Sequence, residues 1–118
     1  MRSSRGEIKI AEILEQNNIN FEEEYSFPDL TTKSGRPLRF DFAVLDDEGH
    51  LDFLVEFQGI QHYQAKSKFG GSKGFYRQKY NDTQKRIYCM RNNIPLVAIP
   101  YWDEPRITYD YIMKAAGY

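Results

Sequence analysis

The amino-acid sequence predicts an α/β fold, a mixed four-stranded sheet flanked by helices in the order αβββαβα. Three observations predict it. Two consecutive runs, Leu38 to Leu45 and Leu51 to Gln58, alternate with the period of a strand and are separated by a turn-forming stretch. Helical periodicity occupies the start, the later middle and the end of the chain. A short apolar run between prolines, Leu96 to Ile99, follows the middle helix, and a helical crossover makes such a strand parallel to its neighbour. With 118 residues, 41% of them hydrophobic, the chain has the size of one core, so residues 1–118 read as a single domain.

Taken in order, Ile10, Ala11, Ile13 and Leu14 recur at helical spacing and predict a helix from Ser4 to about Asn17, which Asn17-Asn18 ends. Phe21 to Phe27 follows as a strand closed by Pro28, and a polar loop carries Gly35 and Pro37. In the next strand Leu38, Phe40, Phe42 and Val44 share one face, and Arg39, Asp41, Ala43 and Leu45 the other. After the turn Asp46-Asp47-Glu48-Gly49-His50, Leu51, Phe53, Val55 and Phe57 share a face and leave Asp52, Leu54, Glu56 and Gln58 on the reverse. If the loop is Asp47 to His50, Asp41 stands opposite Glu56 on one face. A loop one residue longer or shorter separates them. Gly59 ends that strand, and Gln61 to Gly74 reads as a long polar loop or lid with Gly70-Gly71 inside it. A helix from about Phe75 to Asn92 is stopped by Asn92-Asn93 and Pro95, and a last helix spans about Thr108 to Ala116.

The lone Cys89 forms no intramolecular disulfide, and the N-terminus lacks the apolar stretch of a signal peptide. No run approaches the roughly 18 apolar residues of a membrane helix. The expectation is a soluble protein of a reducing cytosol with no membrane partner. A formal net charge of −1 does not announce a nucleic-acid binder, but the charge is unevenly spread. Acids crowd the first thirty residues, whereas Lys66 to Arg91 holds eight bases against one acid, Asp82, so one side is able to meet phosphates.

Two acids opposed on a hairpin, with the polar Gln58 two positions on, have the chemistry of an octahedral divalent-metal site. Magnesium takes one or two carboxylates plus water and substrate oxygens, and lowers the pKa of a bound water. The plain alternative is a solvated sheet face. Leu54 and Ala43 share that face and argue that it is covered, where two bare acids repel.

The helix bearing Glu7, the strand Arg39-Phe40-Asp41-Phe42, the run Val55-Glu56-Phe57-Gln58-Gly59-Ile60-Gln61-His62-Tyr63, and Tyr80-Asn81-Asp82-Thr83-Gln84-Lys85-Arg86 followed by Ile94-Pro95-Leu96-Val97 resemble the PD-(D/E)XK nuclease superfamily. More narrowly they look like its very-short-patch-repair branch, which includes phage homing endonucleases with a Glu, Asp, His, Asp signature. The resemblance spans Glu7 to Ile99 and implies a restriction-endonuclease-like αβββαβ core. It also implies a magnesium-dependent endonuclease, with manganese as substitute, hydrolysing phosphodiesters of double-stranded DNA in a bacterial or phage-infected cytosol.

By that resemblance Asp41 is the central metal ligand, and Glu56 is a second ligand or orients metal-bound water. Gln58 stands where the superfamily usually has lysine, and a neutral amide orients without supplying charge. Lys85, in preference to Lys79, replaces it from the following helix. His62 reads as a general base or phosphate partner, against a plain loop histidine. Glu7 either points to the metal or closes a Ser4-x-x-Glu7 capping box. Asp82 either completes the acidic set or pairs with Arg86 along the helix. Lys66, Lys68, Lys73, Arg77 and Lys79, interleaved with aromatic rings, together with Gln61, suit contact with a nucleic-acid backbone. Tyr101-Trp102 reads as core edge or interface. A small domain with little positive charge calls for dimerisation or a separate DNA-binding segment for specificity. A phage or mobile-element homing endonuclease, or its catalytic domain, is the first expectation. Mismatch-directed nicking and a catalytically weak nucleic-acid-binding or assembly module of the same fold are the rivals.

Overall fold

Helix α1 (Arg5–Gln16) begins at Ser4, whose extended backbone and side-chain Oγ accept the start of the helix: Oγ takes the Glu7 N–H at 3.1 Å. The computed structural model describes residues 4–118. Strands β1 (Asn20–Thr31), β2 (Pro37–Leu45) and β3 (Leu51–Gln58) follow, then helix α2 (Gly71–Arg91), strand β4 (Leu96–Pro100) and helix α3 (Tyr109–Ala115). The sheet order is β1-β2-β3-β4, antiparallel except for β3 and β4, which the α2 crossover makes parallel. The fold is thus a mixed α/β domain with a four-stranded mixed sheet flanked by helices.

Each face of the sheet has its own core. Ile10, Ala11 and Leu14 of α1 and Ile112 of α3 pack on Phe42, Val44, Phe53, Val55, Val97 and Ile99. On the reverse, Cys89 of α2 packs with Leu38, Phe40, Ala43 and Leu54. The approach of α1 to β3 is close: a Cβ on Gly6 would overlap the Phe57 ring.

The even alternation expected along β2 breaks at Asp41. Phe40 and Leu38 belong to the α2-side core, whereas Phe42 and Val44 belong to the α1-side core. Glu24, with φ of 53°, is the residue between the Glu23↔Phe42 and Tyr25↔Phe40 pairs, so it stands across from Asp41 in β1. A left-handed turn in one strand beside the break in the other lets the β1–β2 ribbon change face as a unit.

The loop parity also differs from the sequence expectation. Leu45 pairs with Leu51, which leaves an odd turn of Asp46 to His50, cinched by Asp46 Oδ1 accepting the Glu48 and His50 N–H groups at 2.9 Å each. Val44 then pairs with Phe53, so Asp52 is an extra residue. This bulge restores the register that brings Phe42 opposite Val55 and carries Asp41 toward Glu56. It also turns Leu51 to the α2-side core, away from the face it was expected to share with Phe53.

Two boundaries move as well. β1 continues through Pro28 because the β1–β2 ladder shifts between Ser26 and Thr31, where a missing N–H costs nothing. The expected lid is shorter: 3-10 turns at Ile60–His62 and Ser67–Phe69 lead to α2 at Gly71, so Lys73 and Arg77 ride on the helix. Gly74 is required there, since a Cβ would strike the Phe69 carbonyl.

The Gly6 contact sets the spacing of α1 from the sheet. Gly6→Ala should lower the unfolding free energy in urea by about 1–3 kcal/mol, as overpacking does. An unchanged midpoint would show that α1 backs away from Phe57 without cost.

Candidate active site

The β2–β3 ladder has its last backbone pair at Phe42↔Val55. Beyond it the strands part, and the Phe57 N–H donates to Asp41 Oδ2 at 2.7 Å. A side chain has replaced the missing backbone acceptor, which fixes the Asp41 carboxylate in the fork between two strands.

Beside it, Glu56 is 4% exposed and Lys85 8% exposed, and Lys85 Nζ donates to Glu56 Oε1 at 2.5 Å. Lys85 reaches over the sheet from α2, its ammonium also 5.2 Å from the Phe40 ring centre. The expectation named Lys85 ahead of Lys79, and only the former is at the carboxylates. The Lys79 ammonium lies instead over the rings of Tyr63 and Phe75, at 5.5 and 5.4 Å.

Burial raises the Asp41 carboxyl to about 7; the Phe57 N–H opposes that rise, while the charges of Glu56 and Glu7 add to it and Lys85 lowers it. Burial also raises Glu56, against the pull of Lys85. Asp41 thus feels the carboxylates of Glu56 and Glu7, and Glu56 feels Asp82, with Lys85 opposing the rise of both. A cation placed there would favour the ionised forms.

The donor set suits a hard ion. Asp41 and Glu56 each commit one oxygen to a protein donor and keep another, and magnesium needs one or two carboxylates with water and phosphate oxygens for the rest. Among the described residues, no group of three His, Cys, Asp or Glu side chains gathers to hold a metal by itself. Asp41 and Glu56 are the residues that could hold such an ion, with substrate and water oxygens completing its shell.

His62 is nearly buried and meets Asp82 on α2, Nδ1 to Oδ2 at 2.8 Å. A carboxylate can only accept, so in this contact Nδ1 is the donor. Gln78, one helical turn before Asp82, donates to its other oxygen at 3.0 Å. Asp82 is therefore organised by His62 and Gln78. Gln58 lines the same cleft of about 200 Å³ with His62, Lys79 and Asp82, and the Tyr63 hydroxyl donates to its Oε1 at 2.7 Å. That commits the carbonyl of Gln58 and leaves its amide N–H₂ to donate.

Ser4 supplies its half of the expected box, its Oγ accepting the Glu7 N–H, and its hydroxyl donates to Glu7 Oε1 at 3.3 Å, while the charge of Glu7 still reaches Asp41. It lines a second cleft of about 340 Å³ with Phe57, Gln61 and Lys68. Lys66 and Arg77 line a third with Gln61 and Gln78, and Lys73 is exposed on the first turn of α2. Tyr101 and Trp102 pack against Tyr63, with Trp102 half-exposed.

The sequence reading missed the Phe57 N–H, Gln78 and Tyr63. Gln78 had a signal, its i, i+4 spacing to Asp82. Tyr63 directly follows His62, but its hydroxyl contact depends on the turn at Ile60–His62. A backbone donor leaves no trace in residue identity.

Two viral proteins of undescribed role are similar to this chain. "Uncharacterized protein 307L" of Invertebrate iridescent virus 6 is 34% identical over 87 residues, 72% of this chain and 44% of that protein. "Uncharacterized protein 094L" of Frog virus 3 is 38% identical over 53 residues, 43% of this chain and 34% of that protein. The chain therefore spans less than half the length of the curated relatives it matches. No family model matches it, and no solved structure matches it. Among the described residues, no helix is long and apolar enough to cross a membrane.

The Asp41 environment fixes the sign of a pH dependence. Folded Asp41 keeps its proton to about 7, whereas the unfolded group releases it near 3.9, so the folded state binds the extra proton between these values. Stability falls as pH rises through that window. Asp41→Asn keeps an acceptor for Phe57 and removes the fall, so it should exceed wild type in urea stability by roughly 2–4 kcal/mol near pH 8 and converge with it near pH 4. A difference that stays constant across that range would refute the assignment.

Proposed function

We propose that this chain is a magnesium-dependent DNA endonuclease domain of the PD-(D/E)XK superfamily, with its α1-β1-β2-β3-α2-β4 order as a restriction-endonuclease-like core. The observation that carries this reading is the fork: Asp41 held on the Phe57 N–H beside the buried Glu56–Lys85 pair, two oxygens still available and excess negative charge around them. Asp41 and Glu56 would hold the ion, which when bound supplies an acidified water and charge neutralisation at the phosphate.

The chain's own groups then divide the remaining work. Lys85 supplies the positive charge that Gln58 lacks, and Gln58, its carbonyl tied to Tyr63, orients through its amide. His62 Nε2, aimed by Asp82, takes or returns a proton at the reacting phosphate. The setting we favour is a phage or mobile-element homing endonuclease or its catalytic domain, acting on duplex DNA with a partner copy or further binding segment. The viral origin of the relatives is compatible with a mobile genome and selects no substrate. A second reading, a weak nucleic-acid-binding module of the same fold, draws on one observation: the only lysine at the carboxylates among the described residues is already tied to Glu56.

Incubation of supercoiled plasmid with magnesium tests the proposal. Wild type should nick or linearise it, and Asp41→Asn and Glu56→Gln should each slow this by about 100-fold or more, the scale of losing a group the metal-assisted step needs. Magnesium should also raise the melting temperature of wild type and leave Asp41→Asn unmoved. Cleavage that survives Asp41→Ala in a purified preparation would overturn the site.

A further inference from the structure

Away from the carboxylates, the turn joining β1 to β2 leans over α2 and encloses a mostly apolar pocket of about 440 Å³. Its walls are Thr32, Lys33 and Ser34 on the turn and Tyr76, Arg77, Tyr80 and Asn81 on the helix. No carboxylate lines it. The volume falls within the roughly 300–1,000 Å³ of sites that take small ligands or parts of larger ones. Tyr76 is 70% exposed and Tyr80 43% exposed, unusual for two large rings one helical turn apart on a domain with two well-filled cores. The Lys33 ammonium stands 4.9 Å from the Tyr80 ring centre, and the Tyr76 ring meets Phe75 in an edge contact at 5.6 Å and is otherwise exposed.

The pocket is not isolated. Arg77 and Asn81 also line the cleft at the α2 N-terminal turns, and that cleft shares Gln61 and Phe69 with the one at Glu7. Shared walls therefore join the aromatic pocket in one track to the cleft at Glu7 and Phe57, whose N–H holds Asp41. Along it the charged walls are Lys68, Lys66, Arg77 and Lys33, with Glu7 the only acid, at the fork end.

We propose that this pocket binds an unpaired nucleotide of a DNA strand whose backbone follows the track toward the carboxylate fork, the base stacking on Tyr76 and its phosphates meeting Arg77 and Lys33. A pocket with an exposed ring and two cationic side chains in its walls matches a nucleotide, which offers a π face and an anion joined through one sugar. An acidic or apolar peptide would use only half of that surface. The base must be unpaired, because within a duplex both its faces are covered by neighbouring pairs. The inference rests on the nuclease reading for the role of the strand, but not for binding itself.

Fluorescence anisotropy in EDTA, where a magnesium-dependent cut cannot occur, tests it with a labelled twelve-nucleotide oligothymidylate and a blunt twelve-base-pair duplex. Wild type should bind the oligothymidylate, Tyr76→Ala should weaken that binding about tenfold or more, and Tyr76→Phe should restore it, as stacking requires a ring and not a hydroxyl. Duplex binding should stay within about twofold in Tyr76→Ala, and Lys33→Ala should lower the salt slope of oligothymidylate binding by about 0.7. Tyr76 is exposed, so its variants should melt with wild type. The proposal is overturned if wild type fails to bind oligothymidylate, if Tyr76→Ala binds it unchanged, or if oligothymidylate and duplex binding fall together. Plasmid cleavage separates the two readings. Ring-dependent binding without cleavage would leave the pocket and remove the nuclease, and cleavage with ring-independent binding would do the reverse.

Discussion

Two paired strands that diverge leave a backbone donor without a partner, and a buried N–H in that position costs about 1–3 kcal/mol if nothing accepts it. In this chain the donor is Phe57 and the acceptor is the Asp41 carboxylate. Much of the architecture follows from that substitution. β2 is free to leave β3 and to change faces with β1 at Glu24, so its outer half packs under α2 while its inner half packs under α1. The carboxylate cannot be spent on a distant partner because the sheet holds it in place. Asp41 therefore sits at the boundary of both cores, within electrostatic reach of Glu7 from one helix and Lys85 from the other.

Such a site opposes the stability of the fold that builds it. Burial and like charge push Asp41 up to about 7, and the buried Glu56 holds its place only through contact with Lys85. Buried ion pairs return little net stability, because desolvation offsets most of the attraction. What they fix is geometry. The two well-filled aliphatic and aromatic cores on either side supply the stability that these charges do not.

Element order was legible because it depends on periodicity, which survives in residue identity: the strand Leu51–Gln58 and the proline-bounded Leu96 to Ile99 span the residues where they were expected. The pairing of Asp41 with Glu56 was legible only as a condition on loop parity. That condition failed, since the turn is odd, and the register was recovered by a route the pattern does not encode, a bulge at Asp52. The face change at Asp41 was hidden because Phe40 and Phe42 are both apolar, and apolar residues read alike whichever core receives them. Lys85 was named through the resemblance alone, as a lysine on the following helix, and its contact with Glu56 joins residues that no local pattern links. The roles of His62 and of Asp82 were each open between two readings, and their contact was not foreseen, because it joins residues twenty positions apart and no local pattern records such a meeting.

The Asp46–His50 turn and the extra residue at Asp52 belong together. Each alone shifts the hairpin by one residue, and a shift of one exchanges every side chain between the two faces of a strand. A residue deleted from the turn would therefore call for a second deletion at the bulge if Asp41 and Glu56 are to keep their common face. Length variation at a solvent-exposed tip, usually the freest kind of change in a protein, is here tied to the placement of a carboxylate five residues away.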